Sequence, residues 1–562
     1  MDIAESQPHR RLAFLSAALI GCALVLVGQL ARWQVLQRDR LIQVETKSSQ
    51  GTAIYPRRGT IRDRNGYILA LDIFEYEVSA APNVIEDPWE VASKLAPILG
   101  KSPQQLYQQI SNRKATYVQL ARRITWSAGE AIKSLKLDGI TLDPKPKRYY
   151  PERELAAQLI SFVNEERKAH SGVEGYYDGL LKGLRGFWEG VSTIDTLRLA
   201  PTRDGCDLVL TVDRVVQYMV ERELEEAISR CGAKGGTIIV MDPRSGGILA
   251  MANRPSCDLN QYGTKPMALF FNPAVSGQYE PGSVFKIVTM AAGLDAGVIT
   301  PQSTFQDKGV MEVRGCTIQN PDRHSHGQVT VVDVLAHSLN VEAAHISTTL
   351  GPERFYEYVR RFGFGQLTGV DLDDEIPGML RLPGDGEWSE CDLATNSFGQ
   401  GIAVTPLQMI TAVSAVANGG LLMKPHVVEQ IIDRGTITPV RPTVVRRVIA
   451  EQTARDLTAM LVEAVGEGMR PAMVRGYEIA GKTGTAQKPD PESGRYFEDR
   501  VIASFAGYAP ADAPQFVVLV VIDEPKGPYS GLEVAAPVFS SVAQKLFIHL
   551  GIPPAEMPSA EG

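Results

Sequence analysis

Three short stretches of this chain carry side chains that together can do acyl-transfer chemistry. Ser283-Val284-Phe285-Lys286 sets a hydroxyl three residues before an amine. Ser338-Leu339-Asn340 adds a second hydroxyl and a carboxamide, and Lys482-Thr483-Gly484-Thr485 adds a second amine and two more hydroxyls. A serine is a weak nucleophile until a base takes its proton. Positions i and i+3 of a helix share a face, so Lys286 can reach the Ser283 hydroxyl. Lysine serves as that base only if burial or nearby positive charge lowers its pKa, and Lys482 can supply the charge. Pro281-Gly282 reads as a helix start, with Ser283 where the dipole favours an oxyanion. S-x-x-K alone is an ordinary surface helix start; the order and gaps of all three pieces set them apart.

The last piece reads as an edge strand, with Lys482 and Gly484 on one face and Thr483 and Thr485 on the other. Gly484 lets a substrate backbone lie close. Lys482 and the threonine hydroxyls can bind a carboxylate, and a backbone N–H can contribute to an oxyanion hole. The same residues permit a rival. Gly476 to Thr483 matches the phosphate-loop pattern G-x-x-x-x-G-K-[ST], which needs a buried strand before it and a helix after it. Gly466 to Pro471 is no buried strand, and Gly484, Pro489 and Pro491 oppose a helix.

The elements that must position these groups follow from periodicity. Asp213 caps a helix with apolar residues at Val216, Val220, Leu224, Ala227 and Ile228, and Gly232 ends it. Gly236 to Asp242 and Ile248 to Ala252 form a hairpin across Pro243 to Gly247. Ile479 to Thr485 is a further strand. Ile502 to Ala509 and Phe516 to Ile522 form a second hairpin, and Ala535 to Leu550 a closing helix. The order implies an α+β domain: an antiparallel five-stranded sheet flanked by helices, with a helical middle insert. Ser283 and S-x-N fall in the insert and K-T-G on the sheet, so the site is the cleft between them. The region from Trp33 to Arg203 mixes short strands such as Tyr76 to Ala80 with helices such as Pro88 to Leu99. It shows no nucleophile and base of its own and reads as a platform.

The chain has 562 residues, enough for two or three domains. Its net charge of −8 leaves no nucleic-acid footprint on the whole. Leu12 to Ala31 has the length and apolarity of a membrane span, flanked by arginines on both sides. An uncleaved anchor with the body outside is the expectation. A twin-arginine signal at Arg10-Arg11 and a lipidated Cys22 are the alternatives. Of six cysteines, five lie in the exterior part, and none forms C-x-x-C. At most two disulfides can form there, with the pairs open, and buried free thiols are the other reading. His324-Ser325-His326 lacks a third ligand at suitable spacing and reads as a polar loop. No metal or cofactor is expected.

With these residues in place, the chain resembles the class B penicillin-binding proteins, membrane-anchored transpeptidases of bacterial cell-wall synthesis. The likeness covers Tyr279 to Lys286, Asp242 to Met251, Phe398-Gly399-Gln400-Gly401 with Val404 to Gln408, and Ala480 to Gln487. In the N-terminal part it covers Arg58 to Gly66, Arg148-Tyr149-Tyr150-Pro151 and Gly172 to Tyr177. Val284 departs from the family's usual threonine and Ser276-Gly277-Gln278 from a more acidic stretch. No glycosyltransferase segment like that of the bifunctional relatives is visible. The resemblance implies a penicillin-binding transpeptidase fold with an all-helical subdomain, an elongated α+β pedestal and one transmembrane helix. It implies residues 1–32 as tail and anchor, 33–205 as pedestal, 206–552 as transpeptidase and 553–562 as a disordered tail.

The resemblance also implies a mechanism. Ser283, activated by Lys286, attacks a stem peptide ending in D-Ala-D-Ala. Ser338 and Lys482 pass a proton to the leaving amine, and Asn340 holds the donor amide. Thr483, Gly484 and Thr485 form the carboxylate-binding strand. Beta-lactams would acylate the same serine. The implied partners are peptidoglycan stem peptides, a membrane glycosyltransferase of the shape, elongation, division and sporulation family, and other division proteins. The implied place is the bacterial cell membrane, with the catalytic domain extracytoplasmic. An elongation role, a carboxypeptidase or beta-lactamase on the same fold, and a penicillin-binding sensor or scaffold are the other readings.

Overall fold

The computed structural model describes Gly21 and residues 53–554, apart from 185, 188–201, 491, 492, 494, 528 and 529. The expected anchor, Gly21 excepted, lies outside the described residues, as do Cys22 and positions 555–562 of the tail. No helix among the described residues is long and apolar enough to cross a membrane. Two compact units divide the chain: Met1–Pro56 with Leu184–Arg203, and Arg57–Gly183 with Asp204–Gly562. In the first, Ala53–Ile54 pairs antiparallel with Gly186–Phe187. The second holds every residue of the candidate site.

Its catalytic sheet has five antiparallel strands in the order Ala480–Pro489, Tyr496–Ala509, Phe516–Asp523, Gly235–Met241, Ile248–Arg254. The central strand is buried along all but its last residue. Successive side chains alternate between faces, so both faces of the sheet are covered. Arg214–Cys231 and Ala536–His549 pack on the sheet and on each other, and Pro406–Ala417 also packs on it. The first of these helices forms where the sequence places it. Asp213 accepts from the Val215 and Val216 N–H groups, and Gly232, at φ +60°, ends it. The K-T-G strand is at the sheet edge, as its glycine and short side chains predict.

The insert departs from the all-helical expectation. Beside helices such as Lys286–Asp295, Asn340–Leu350 and Glu451–Gly468, it contains short hairpins. Val310–Val313 pairs with Cys316–Gln319, and Thr304–Asp307 with Gly327–Thr330. These strands carry β-branched residues such as Val310, Val313, Thr317, Ile318 and Val329, and Gly315 turns the chain at φ +90°. That combination favours a hairpin. Another strand, Val428–Asp433, pairs with Asp207–Leu210, which runs parallel to Ile61–Arg62. A seven-stranded sheet thus continues from the insert into the N-terminal strands Ile68–Ala80, Val118–Ile124 and Ile140–Tyr149. Sequence gave no sign of it, because pairings between strands hundreds of residues apart leave no local pattern.

A buried ion cluster joins the N-terminal segments. Glu174, fully buried, accepts from Arg58 Nε and Arg148 Nε, each at 2.6 Å. Arg58 Nη1 also reaches Asp178 at 2.6 Å, and Arg148 Nη1 reaches Asp72 at 3.4 Å. Burial pushes the Glu174 pKa up, but Arg148 and Arg58 outweigh it and hold the carboxyl below its usual range. The three N-terminal segments of the family resemblance therefore meet at one carboxylate. Removing one partner of such a cluster strands the others without a counter-charge. Glu174→Gln is expected to cost about 3–5 kcal/mol in denaturant unfolding at neutral pH. Its folded pKa is depressed, so the wild-type advantage is present above the unfolded carboxylate pKa and is lost as pH falls through the folded value.

Candidate active site

Ser283 sits in a tight helical turn, Gly282–Phe285, that runs into the helix Lys286–Asp295. The turn is held from behind. Tyr279 and Val404 exchange backbone hydrogen bonds at 2.9 Å, and Gly282 N–H donates to the Gly399 carbonyl at 3.0 Å. Gly399 has φ +78°, and a Cβ there would strike the Gly282 backbone. Glu280 adds a side-chain tie: it accepts from Gly401 N–H at 3.0 Å and from the Tyr496 hydroxyl at 3.0 Å. Burial raises the pKa of Glu280. The Phe398-Gly399-Gln400-Gly401 block is thus a cradle for the nucleophile turn. In sequence the block stands out by the family resemblance and by its two glycines within four residues. Tyr496 gave no such sign.

Lys286 is fully buried, and its Nζ lies 2.6 Å from the Ser338 carbonyl, 3.2 Å from Ser338 Oγ and 2.9 Å from Asn340 Oδ1. The motifs S-x-x-K and S-x-N therefore meet directly. The expected hydrogen bond from Lys286 to Ser283 is not among those formed by the described residues. The carbonyl and carboxamide oxygens opposite are the acceptors the amine takes instead. Burial lowers the Lys286 pKa well below the ordinary lysine range, and the charge of Lys482 lowers it further. Lys482, also fully buried, is pushed down to about 7 by burial. Lys286 Nζ donates to all three of these oxygens, which fixes the amine between the Ser338 and Asn340 side chains. Ser338 itself stands at φ +58°, a conformation that costs a non-glycine residue about 1–3 kcal/mol. That geometry points both its carbonyl and its hydroxyl at Lys286.

On the K-T-G strand, Lys482 Nζ donates to Thr483 O and Thr483 Oγ1 at 3.2 and 3.1 Å. Thr485 is exposed, and its hydroxyl accepts from Gly531 N–H at 2.9 Å. Gly484 faces inward. A Cβ on it would meet Ser504 Oγ, the Pro281 carbonyl at 2.8 Å and Val284 Cγ2 at 2.9 Å. Glycine is needed there so that the strand can press against the nucleophile turn. Val284, the residue that departs from the family pattern, is buried in that contact. The phosphate-loop alternative fails on geometry: Lys482 and Thr483 lie in a strand, not at a helix start.

His326 pairs with Asp322 at 2.8 Å, and its ring stacks on His337. No group of three metal-ligating side chains forms among the described residues. One disulfide joins Cys316 to Cys391, tying the strand Cys316–Gln319 to the helix Glu390–Asn396. Cys231 and Cys257 are buried thiols.

Lys482→Met should have two consequences. The folded pKa of Lys482 lies below its unfolded value, so at neutral pH folding works against protonating it. The variant should gain about 1–2 kcal/mol in thermal or denaturant unfolding near pH 7. It also removes the charge that depresses Lys286. The acid limb of residual acylation against pH should therefore move upward, since more of Lys286 is then protonated at a given pH.

The family model described as the penicillin binding protein transpeptidase domain matches residues 236–544, and that of the penicillin-binding protein dimerisation domain matches residues 53–209. Stage V sporulation protein D of Bacillus subtilis is 34% identical over 99% of this chain and 88% of its own length. Peptidoglycan D,D-transpeptidase FtsI of Escherichia coli is 32% identical over 96% of this chain and 92% of its own length. Penicillin binding protein 3 of Mycobacterium tuberculosis, solved in complex with aztreonam, aligns with a TM-score of 0.71 at 30% identity, over 90% of this chain and 98% of that one. With Lys286 joined to Ser338 and Asn340, the K-T-G strand pressed on the nucleophile turn, and both family models matched, the chain belongs to the penicillin-binding protein transpeptidase family.

Proposed function

We propose that this protein is a serine D,D-transpeptidase that crosslinks peptidoglycan stem peptides and is acylated by beta-lactams. The observation that carries the reading is the pairing of two buried lysines. Lys286 bridges the nucleophile turn to Ser338 and Asn340, and Lys482 stands close enough to lower its pKa. A base poised below its ordinary pKa next to a serine is what acyl transfer at neutral pH requires.

In this reading Ser283 Oγ attacks the carbonyl of the penultimate D-alanine while Lys286 takes its proton. Backbone N–H groups of Ser283 and Thr485 hold the oxyanion. Ser338, assisted by Lys482, returns a proton to the leaving amine, and the terminal D-alanine departs. Asn340 orients Lys286 through Oδ1 and holds the donor amide with its side-chain N–H. Thr483 and Thr485, on the strand opened by Gly484, bind the terminal carboxylate. An amine from a second stem peptide then resolves the ester and frees Ser283. The chemistry asks for no metal or cofactor.

The domain reading follows the same lines: anchor at 1–32, pedestal at 33–205, transpeptidase at 206–552 and a short tail. The apolar span Leu12 to Ala31 supports a single-pass anchor with the catalytic domain outside the cell membrane. The compact pedestal, which resembles the division type, supports a septal role. The partner would then be a membrane glycosyltransferase of the shape, elongation, division and sporulation family.

Intact mass after incubation with benzylpenicillin, followed by peptide mapping, tests the nucleophile. A stable adduct on Ser283 is expected, and Ser283→Ala should lose it entirely with its melting temperature unchanged. Labelling retained in that variant would remove Ser283 from the mechanism. Crosslinked product from stem peptides would distinguish a transpeptidase from a hydrolase.

A further inference from the structure

The helix that presents Asn340 is capped by a side chain from outside it. Leu339, at the cap position of Asn340–Leu350, is buried and offers no acceptor. The Asn340 and Val341 N–H groups donate instead to Asn320 Oδ1, at 3.0 and 3.2 Å. Asn320 cannot turn, because its Nδ2 donates to both carboxylate oxygens of Asp307, each at 3.0 Å. Asn320 is 2% exposed and Asp307 0%. Asp307 is fixed in turn by Gly309 N–H at 3.0 Å and His326 N–H at 2.8 Å. Asn340 Nδ2 donates to the carbonyl of Gln319, the residue before Asn320. Hydrogen bonds thus run unbroken from Asp307 through Asn320 and Asn340 to Lys286.

We propose that Asn320, oriented by Asp307, is a positioning residue for acylation: it sets where the helix start places Ser338 and Asn340 against Lys286. The inference rests on the Ser283 acyl-transfer reading and deepens it. Buried N–H groups at a helix start must find an acceptor, and here one side-chain oxygen serves two of them. Without it the first turn shifts, and the acceptors that hold Lys286 shift with it. Misplacement of a catalytic group by about an ångström slows chemistry more than it weakens binding. The ionisable groups around Asp307 are Glu342 on the capped helix and His324, His326 and Lys308 on the flanking loops. Burial and then Asp307 raise the Glu342 pKa to about 7.

The test is the rate of acylation of the full chain by a fluorescent penicillin, resolved into initial binding and the covalent step, with melting temperature recorded for each variant. Asn320→Ala should slow the covalent step by about 10- to 100-fold and leave initial binding within about threefold. Asn320→Asp sets two carboxyls face to face, and such a pair holds one proton between them at low pH. Its acylation should approach wild type in acid and fall as pH rises, with a limb the wild type lacks.

Wild-type rates in a well-folded Asn320→Ala variant would overturn the proposal. If that variant fails to fold, the Asn320→Asp pH profile decides. A profile parallel to wild type would overturn the proposal as well. A folded wild type that takes no label would overturn the Ser283 reading and this inference with it.

Discussion

Two amines buried within reach of one another are the constraint around which this site is built. A buried ammonium is costly, and two near each other cost more. The chain meets that cost by lowering both pKa values and by surrounding Lys286 with oxygen acceptors. Each acceptor comes from a different kind of local arrangement. The Ser338 carbonyl is aimed by a left-handed backbone, and the Asn340 carboxamide by a helix start. The Gly399 and Gly401 cradle and the close approach of Gly484 fix the nucleophile turn that leads into Lys286. Loosening any one of them would move Lys286 against its acceptors, so geometry and chemistry are specified by the same contacts.

The N-terminal ion cluster answers a similar problem in another way. There the charges are opposite and the carboxylate stays ionised. Glu174 draws Arg58 and Arg148 from segments about ninety residues apart in sequence and keeps its own pKa low. In the site, like charges push a base toward neutrality. In the cluster, unlike charges lock three backbone segments together. Burial opposes the charged form in both, and the sign of the neighbour decides the outcome.

Much of the sheet and its flanking helices was legible in local pattern. Asp213 and Gly232 bound their helix, the two hairpins have the expected partners, and the K-T-G strand lies at the sheet edge. Capping and alternation act within a few residues, so they leave a trace in sequence. The hairpins of the insert leave little such trace, because their strands have only four residues each. The Cys316–Cys391 pair could not be chosen because sequence fixes spacing but not proximity.

By itself, the sequence determined which groups could react: the serine, the two lysines, the S-x-N pair and the threonine strand. Residue type and spacing carry that information because the chemistry demands them. Only the tertiary structure decided where Lys286 points, that Gly484 is required by Ser504 and Val284, and that Asn320 caps a helix twenty residues away. These are matters of which groups meet after burial. No local pattern encodes them, because a hydrogen bond between distant segments depends on the whole fold that brings its donor and acceptor within 3 Å.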